Sequence, residues 1–364
     1  MENMVTIQEL ERTFSRKKVL ITGDTGFKGS WLSLLLLRLN SNVYGYSLDP
    51  LRPNDNYCTT HLHKHINHVA GDVRDRETLK RYFQEVRPDF VFHLAAQPLV
   101  LESYRNPAYT FETNLMGTVN FLEALRNTTD IKAAVVITSD KCYRNNEGLR
   151  GYQEDDPMGG DDPYSASKGC SELIANAYYH SFFRNSPCAL ATARAGNVIG
   201  GGDWAENRIV PDIYRAVQNK EKIVLRNPRS VRPWQFVLEP LMGYLFLCHA
   251  LSQRGKEMSG GWNFGPESGS EKSVEDLTRA ILGYFPGSEF EVAEENEKFH
   301  EAGYLKLDIS KAQKHLGWSP VLDFGQAVRF TVRGYKDETD SKHLFSQRMQ
   351  QIDEFLDICN QKFK

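Results

Sequence analysis

Tyr164 and Lys168 stand four residues apart in the stretch DDPYSASKGCSEL. On a helix, that spacing puts both side chains on one face. An ammonium group beside a phenol favours the phenolate, as does a nearby positive ring. A tyrosine so placed can take a proton from a substrate hydroxyl while hydride leaves the same carbon. Tyr-x-x-x-Lys is also common as an accidental exposed pair, so a hydride acceptor has to be sought elsewhere in the chain.

VLITGDTGFKGSW, residues 19–31, supplies the candidate. Gly23, Gly26 and Gly29 lie three apart between an apolar run of strand length and an apolar run of helix length. Small residues let a backbone approach a pyrophosphate, and the N–H groups at the positive end of the helix then face its charge. The bland alternative is an ordinary glycine-rich strand-to-helix turn, since the spacing is not Gly-x-Gly-x-x-Gly. NVYGYSLDP ends a second apolar run on Asp49. An acid there accepts both hydroxyls of an adenosine ribose and repels a 2′-phosphate, which favours NAD over NADP. Otherwise Asp49–Pro50 is a plain turn, and Arg52 lies close by. GDVRD places Asp72 and Val73 after a third strand, where an adenine can be met.

These residues need a scaffold that brings strand ends together. KVLITG, NVYGYSLD, HINHVAGDV, DFVFHLAA, KAAVVITSD and CALATARAGNVIG read as strands. Between them, SWLSLLLLRLN, RETLKRYFQEVRP, AYTFETNLMGTVNFLEALRN and YSASKGCSELIANAYYHSFF read as helices. Such alternation predicts an α/β fold: a Rossmann-like, doubly wound parallel sheet covered on both faces. From about residue 195 the texture turns to Gly, Pro, Asn and Ser with shorter helices. The expected division is a dinucleotide-binding domain over 1–190, with returns near 232–262, and a smaller, interleaved C-terminal substrate-binding lobe over 191–364. The tail SQRMQQIDEFLDICNQK predicts a closing helix, and the first 18 residues read as a polar lead-in.

Composition narrows the class. The 364 residues are 40% apolar and 25% charged, with net charge −3. No basic block points to nucleic acid. No segment reaches the ~18 apolar residues of a membrane span, and no secretory leader is seen. Cys58, Cys142, Cys170, Cys188, Cys248 and Cys359 form no Cys-x-x-Cys pair, so neither a metal site nor a disulfide framework is expected, and a cytoplasmic setting is.

TGDTGFKG, HLAAQ, TNLMGT and YSASK occur in the order and spacing of the extended short-chain dehydrogenases/reductases, which the sequence resembles. TGFKGSW, ITSDKCY, EDDPMGGDDPYSASKGCSEL, GGGDWAENR and RPWQ resemble more narrowly the CDP-glucose 4,6-dehydratases, over roughly residues 17 to 335. Two positions depart from that pattern: Asp24 stands where His is expected, and Leu101–Glu102 where an Arg is expected. A carboxylate at 24 repels a pyrophosphate unless its side chain points away.

The resemblance implies an NAD enzyme that removes water from CDP-D-glucose, giving CDP-4-dehydro-6-deoxy-D-glucose in deoxysugar biosynthesis. It implies a homo-oligomer as well. NAD would be held by Gly23, Thr25, Gly26, Phe27, Lys28, Gly29, Asp49, Asp72, Val73, Ala95, Ala96, Thr138, Tyr164 and Lys168. Ser139 would hydrogen-bond the C4 oxygen. In ITSDK, Asp140 would be the acid for the departing C6 hydroxyl and Lys141 the base for C5, a role that needs a neutral lysine. The other reading of Lys141 is a cation that merely pairs Asp140. Gln97, Asn114 and Asn197 would face the substrate, and Arg208 and Arg232 its diphosphate, since guanidinium groups fork onto phosphate oxygens. Arg208 is equally at home in a surface ion pair, Arg232 less so. Trp234 would be a wall for the base or simply core. Two other readings stand beside this one. A 4-epimerase of the same family has no use for Asp140–Lys141, and a silent NAD-binding sensor has no use for Tyr164 and Lys168.

Overall fold

The structure, a computed structural model, describes residues 5–146, 148, 150–267, 269–293, 305–338 and 343–363. Seven short strands make its central sheet: β1 Lys18–Thr22, β2 Asn42–Ser47, β3 Asn67–Ala70, β4 Phe90–His93, β5 Ala133–Ile137, β6 Ala189–Arg194 and β7 Gly260–Asn263. Their order is β3-β2-β1-β4-β5-β6-β7, and every pairing is parallel. β4 and β5 are buried throughout and β1 is buried from Val19 on, as continuous apolar runs require when helices cover both faces. The winding reverses between β1 and β4, where Thr22 lies level with His93. A crevice opens at the carboxyl ends of strands at such a point. The glycine turn, HLAAQ and TSDK all follow strands that end there.

Each face has its own core. On one, the helix Phe27–Arg38 lies against the sheet with Trp31, Leu32 and Leu34–Leu36 fully buried. The helix Leu238–Arg254 and the closing helix Leu344–Lys362 share that core through residues such as Tyr244, Phe246, Ile352 and Phe355. That surround explains why SWLSLLLL is apolar on all sides. The helices Arg76–Val86 and Gly117–Arg126 cover the other face through Leu79, Phe83, Phe121 and Leu122. A third cluster joins the helices Ile209–Asn219, Val274–Leu282 and Phe324–Asp337. Tyr214 stacks on Tyr335 within it at 3.8 Å between centroids. The parallel pair Val198–Ile199 and Gln235–Phe236 links this cluster to the sheet side.

The N-terminal lead-in differs from the expectation. Ile7–Phe14 is a helix, closed at its start by a reciprocal Thr6–Glu9 cap. Ile7, Leu10 and Phe14 recur at helical spacing and are buried, an apolar stripe hidden among charged residues. Among the described residues no helix is long and apolar enough to cross a membrane.

Candidate active site

The glycine turn closes tightly on itself and on β4. Gly23 sits at φ 81°, and a Cβ there would lie 2.7 Å from the Ala95 backbone nitrogen. At Gly29 a Cβ would overlap the Gly23 carbonyl oxygen and lie 2.8 Å from Asp24 Cα. Gly29 therefore lets the helix meet its own turn, which is a different demand from ligand approach. Gly26 is the helix N-cap with no side chain capping it, and the first turn carries no acid. Its N–H groups and positive end are left for an anion. The Thr25 hydroxyl meets Ser47 Oγ at 2.9 Å and donates to the Leu48 carbonyl, tying the turn to the end of β2 just before exposed Asp49.

Asp24, the departure from the expected pattern, points away from the crevice. It is fully buried, accepts from Ser47 Oγ at 2.9 Å, and pairs with His68 Nδ1 of β3 at 2.7 Å. Its carboxylate occupies the space above Gly45. Burial works against the charged His68 ring, yet the Asp24 hydrogen bond and charge raise its pKa overall. The repulsion expected from a carboxylate at this position is therefore not set up.

At the end of β5 the chain bends through Thr138, Ser139, Asp140 and Lys141. Ser139 Oγ donates to Asp140 Oδ1 at 2.8 Å, and the Lys141 backbone N–H donates to the same oxygen at 3.0 Å. Asn197 Nδ2 reaches Asp140 Oδ2 at 3.3 Å. Gly196 leaves room for that carboxylate, because a Cβ there would overlap Oδ2. The Ser139 hydroxyl stands close enough to the Tyr164 hydroxyl to favour its ionised form. Tyr164 and Lys168 share one face of the helix Pro163–Tyr178, whose start is capped by Asp162. Burial pushes the Tyr164 hydroxyl up to about 12 and lowers Lys168 to about 8. In the protein alone the phenolate is thus disfavoured, because burial outweighs the Ser139 hydroxyl and the Arg208 charge that favour it. Lys28 also faces this cluster. Burial lowers it to about 8; Asp140 opposes that, while Arg208 and Lys168 add to it.

Arg208 pairs with Asp203 at 2.8 Å and stands close enough to Tyr164 and Lys28 to affect both. Arg232 is buried on the short strand Val231–Arg232, paired antiparallel with Lys272–Ser273, and donates to its own strand at Val231 O. Trp234 belongs to the third core cluster, with its Nε1 donating to Lys272 O at 3.0 Å. Gln97 and Asn114 hold one another. The Gln97 N–H donates to Asn114 Oδ1 at 2.7 Å, and Asn114 Nδ2 donates to Gln97 O and Ser167 Oγ. Meeting a ligand would exchange one of those bonds. Asp72 is bound by Arg74 through side chain and backbone, and Val73 is core.

Three residues beside the cluster escaped the sequence reading: Glu172, Arg194 and Gly196. Glu172 carries a readable signal, since it continues the Tyr164, Lys168 spacing by one more helical turn. Arg194 and Gly196 become informative only once β6 is seen beside β5. Among the described residues no group of side chains is arranged to hold a metal, and all six cysteines are free.

The GDP-mannose 4,6 dehydratase family model matches residues 20–331. The chain is 46% identical over 325 residues to the CDP-glucose 4,6-dehydratase of Salmonella typhimurium, covering 88% of this chain and 90% of that protein. It is 26% identical to the dTDP-glucose 4,6-dehydratase of Xanthomonas campestris pv. campestris, covering 87% and 92%. Among solved structures it is similar to the UDP-glucose 4-epimerase of Thermus thermophilus in complex with NAD. That likeness has a TM-score of 0.75 and 26% identity, over 88% of this chain and 99% of that one.

Proposed function

The chain belongs to the family that the GDP-mannose 4,6 dehydratase model describes, and from that premise we propose that it dehydrates CDP-D-glucose to CDP-4-dehydro-6-deoxy-D-glucose with NAD as a recycled cofactor. One observation carries the reaction class. Asp140 lies one hydrogen bond from Ser139, whose hydroxyl stands near enough to Tyr164 to act on it. An epimerase acting at C4 needs no acid there, whereas the loss of a C6 hydroxyl does. Cytidine rests on the 46% identical relative.

The C5 proton of a hexose is not acidic until C4 is a ketone. Tyr164, helped by Lys168, takes the C4 hydroxyl proton, and Ser139 holds the C4 oxygen. The uncapped helix start after Gly26 would hold NAD, which when bound would supply the acceptor for the C4 hydride and its donor to C6. Lys141 removes the C5 proton from the ketone, and Asp140 gives a proton to the C6 hydroxyl as it leaves as water. A proton returns to C5 when the hydride reaches C6, so the net change is loss of one water. Lys28 and Arg208 supply positive charge for the two diphosphates.

Incubation with CDP-, dTDP-, UDP- and GDP-glucose, each followed by mass, tests the reading. Loss of one water from CDP-glucose in preference to the others is expected. An unchanged mass with every sugar overturns it. Tyr164→Phe serves as the control: general acid–base catalysis contributes ~10²–10⁴-fold, so turnover should drop by that order while NAD binding persists. Near-normal turnover in this variant would remove Tyr164 from the mechanism.

We also read the chain as a cytoplasmic homo-oligomer. Met116, Leu173 and Phe182 expose apolar surface from neighbouring helices, at 46%, 59% and 49% exposure. Sedimentation as a monomer at micromolar concentration would overturn that.

A further inference from the structure

The helix that carries Tyr164 and Lys168 carries a third group on the same face. Glu172 follows Lys168 by one turn and is 5% exposed. Its carboxylate is bound on both oxygens. Oε1 accepts from the Thr138 hydroxyl; Oε2 accepts from Thr192 Oγ1 at 2.6 Å and from Arg194 Nη2 at 2.8 Å. Thr138 is the residue immediately before Ser139 and Asp140, and Thr192 and Arg194 belong to β6. One side chain therefore ties three elements together: the helix with Tyr164 and Lys168, the strand end with Ser139 and Asp140, and β6. Arg194 extends the tie, donating to the Tyr143 hydroxyl and to the Glu154 carbonyl.

We propose that Glu172 is a positioning residue for the reaction, locking the Tyr164–Lys168 helix to the Ser139–Asp140 strand end through Thr138 and keeping Lys168 an ammonium by its buried charge. This rests on the reading that Tyr164 and Lys168 perform the oxidation. A structural ion pair alone would be served by Glu172 and Arg194 anywhere in the core. Here the carboxylate is directed at the residue that leads into the catalytic turn, and it stands one helical turn from a buried lysine. Burial alone would raise the Glu172 carboxyl, but the Arg194 charge and the donors outweigh it and hold the group ionised.

The charges around the pair are few. Glu172 is faced by Arg194 of β6, by Cys142 of the turn after β5, and by Lys168 of its own helix. Lys168 is faced in addition by Lys28 of the glycine turn and by His93 of β4, whose ring burial keeps neutral. Cys142 is a buried thiol whose pKa is raised mainly by burial, so it carries no charge near neutrality. Glu172 is thus the only carboxylate acting on Lys168 from among these groups.

Glu172→Gln keeps the shape and removes the charge. Its kcat against pH should lose the basic limb about one unit earlier than wild type, the shift expected when a nearby opposite charge is removed. Because the variant leaves Arg194 unpaired in the core, Glu172→Gln/Arg194→Gln is measured beside it and should show the same shift. Thr138→Val removes the hydroxyl that ties Glu172 to the strand end, and titration with NAD beside it separates loss of that tie from loss of the cofactor. The variant should lower kcat at least tenfold with the pH limb unmoved. Competitive acetylation of Lys168, read by peptide mapping, follows the neutral amine without any turnover and should move by the same amount. An unmoved limb and unmoved acetylation in both Gln variants, with wild type active, overturn the proposal. A wild type that converts no nucleotide sugar overturns the functional reading instead, and the acetylation result still judges Glu172.

Discussion

Asn197 donates to Asp140 Oδ2 at 3.3 Å from a backbone held at φ 52°. This left-handed conformation suits Asn and Gly far better than other residues. Asn197→Gly keeps the backbone and removes the donor, so the fold should survive. Hydrogen bonds to charged groups are worth about 1.5–3 kcal/mol, so kcat should fall by at least tenfold. Gly196→Ala should cost more, on the order of a hundredfold, because its Cβ displaces the Asp140 carboxylate itself. Steady-state kinetics with thermal melts separates the two effects. Wild-type kcat in Gly196→Ala would show that Asp140 need not stay where it is.

Replacing Gly29 with Val should damage the protein before it damages ligand binding. Its Cβ would overlap the Gly23 carbonyl oxygen, so the helix start must shift. Overpacking of this kind costs about 1–3 kcal/mol, occasionally more. A lowered Tm without any ligand is expected, with NAD binding lost as well. An unchanged Tm with binding lost would return Gly29 to the role of ligand approach. In wild type, equal affinities for NAD and NADP by titration would count against Asp49 as the ribose acid.

Much of this was readable in advance, for physical reasons that differ from residue to residue. The central strands β1, β4 and β5 are buried on both faces as continuous apolar runs and could be read from composition and length, whereas the edge strand β7, Gly260–Asn263, half-exposed and glycine-rich, was not among the strands read. The Tyr164–Lys168 face follows from helical period. Contacts between distant segments left no such trace. Nothing local announces that Asp24 turns under β2 to meet His68, that Gly196 makes room for Asp140, or that Gln97 and Asn114 bond to each other. The helix Ile7–Phe14 was hidden because its apolar stripe is three residues wide among charges. Trp234 had two readings because the same ring suits a ligand wall and a core, and only its packing against the third cluster distinguishes them.

The Asp24–His68 pair makes part of the stability of the nucleotide side depend on pH. His68 has its pKa raised in the folded protein above the ordinary 6.5. Its contribution is therefore complete below 6.5 and is lost as pH rises through the raised value. Wild-type Tm should fall across that window relative to His68→Asn, which keeps a donor and cannot titrate. Parallel Tm-against-pH curves for the two proteins would remove His68 as the cause.

Asp140 and the closed redox cycle give the most demanding test. If the cofactor is only borrowed, CDP-glucose with deuterium at C4 should give product with deuterium at C6. In heavy water the product should gain deuterium at C5, and no NADH should accumulate. Asp140 receives bonds from Ser139, from the Lys141 backbone and from Asn197. Asp140→Asn keeps the shape and one acceptor oxygen but cannot donate the proton that lets the C6 hydroxyl leave. Oxidation at C4 should survive in that variant while elimination slows, so reduced-nicotinamide absorbance should build up on the enzyme. Because the new amide faces Asn197 Nδ2 or the Ser139 hydroxyl, the double variant Asp140→Asn/Asn197→Asp restores a hydrogen-bonded pair with the carboxylate on the wrong side. Its Tm should recover and its elimination should not. Label lost to solvent, or stoichiometric NADH from the wild type, would make this an ordinary dehydrogenase. If Asp140→Asn eliminated as fast as wild type, the acid would lie elsewhere in the crevice, and Lys28, which faces Asp140, would be the first group to replace.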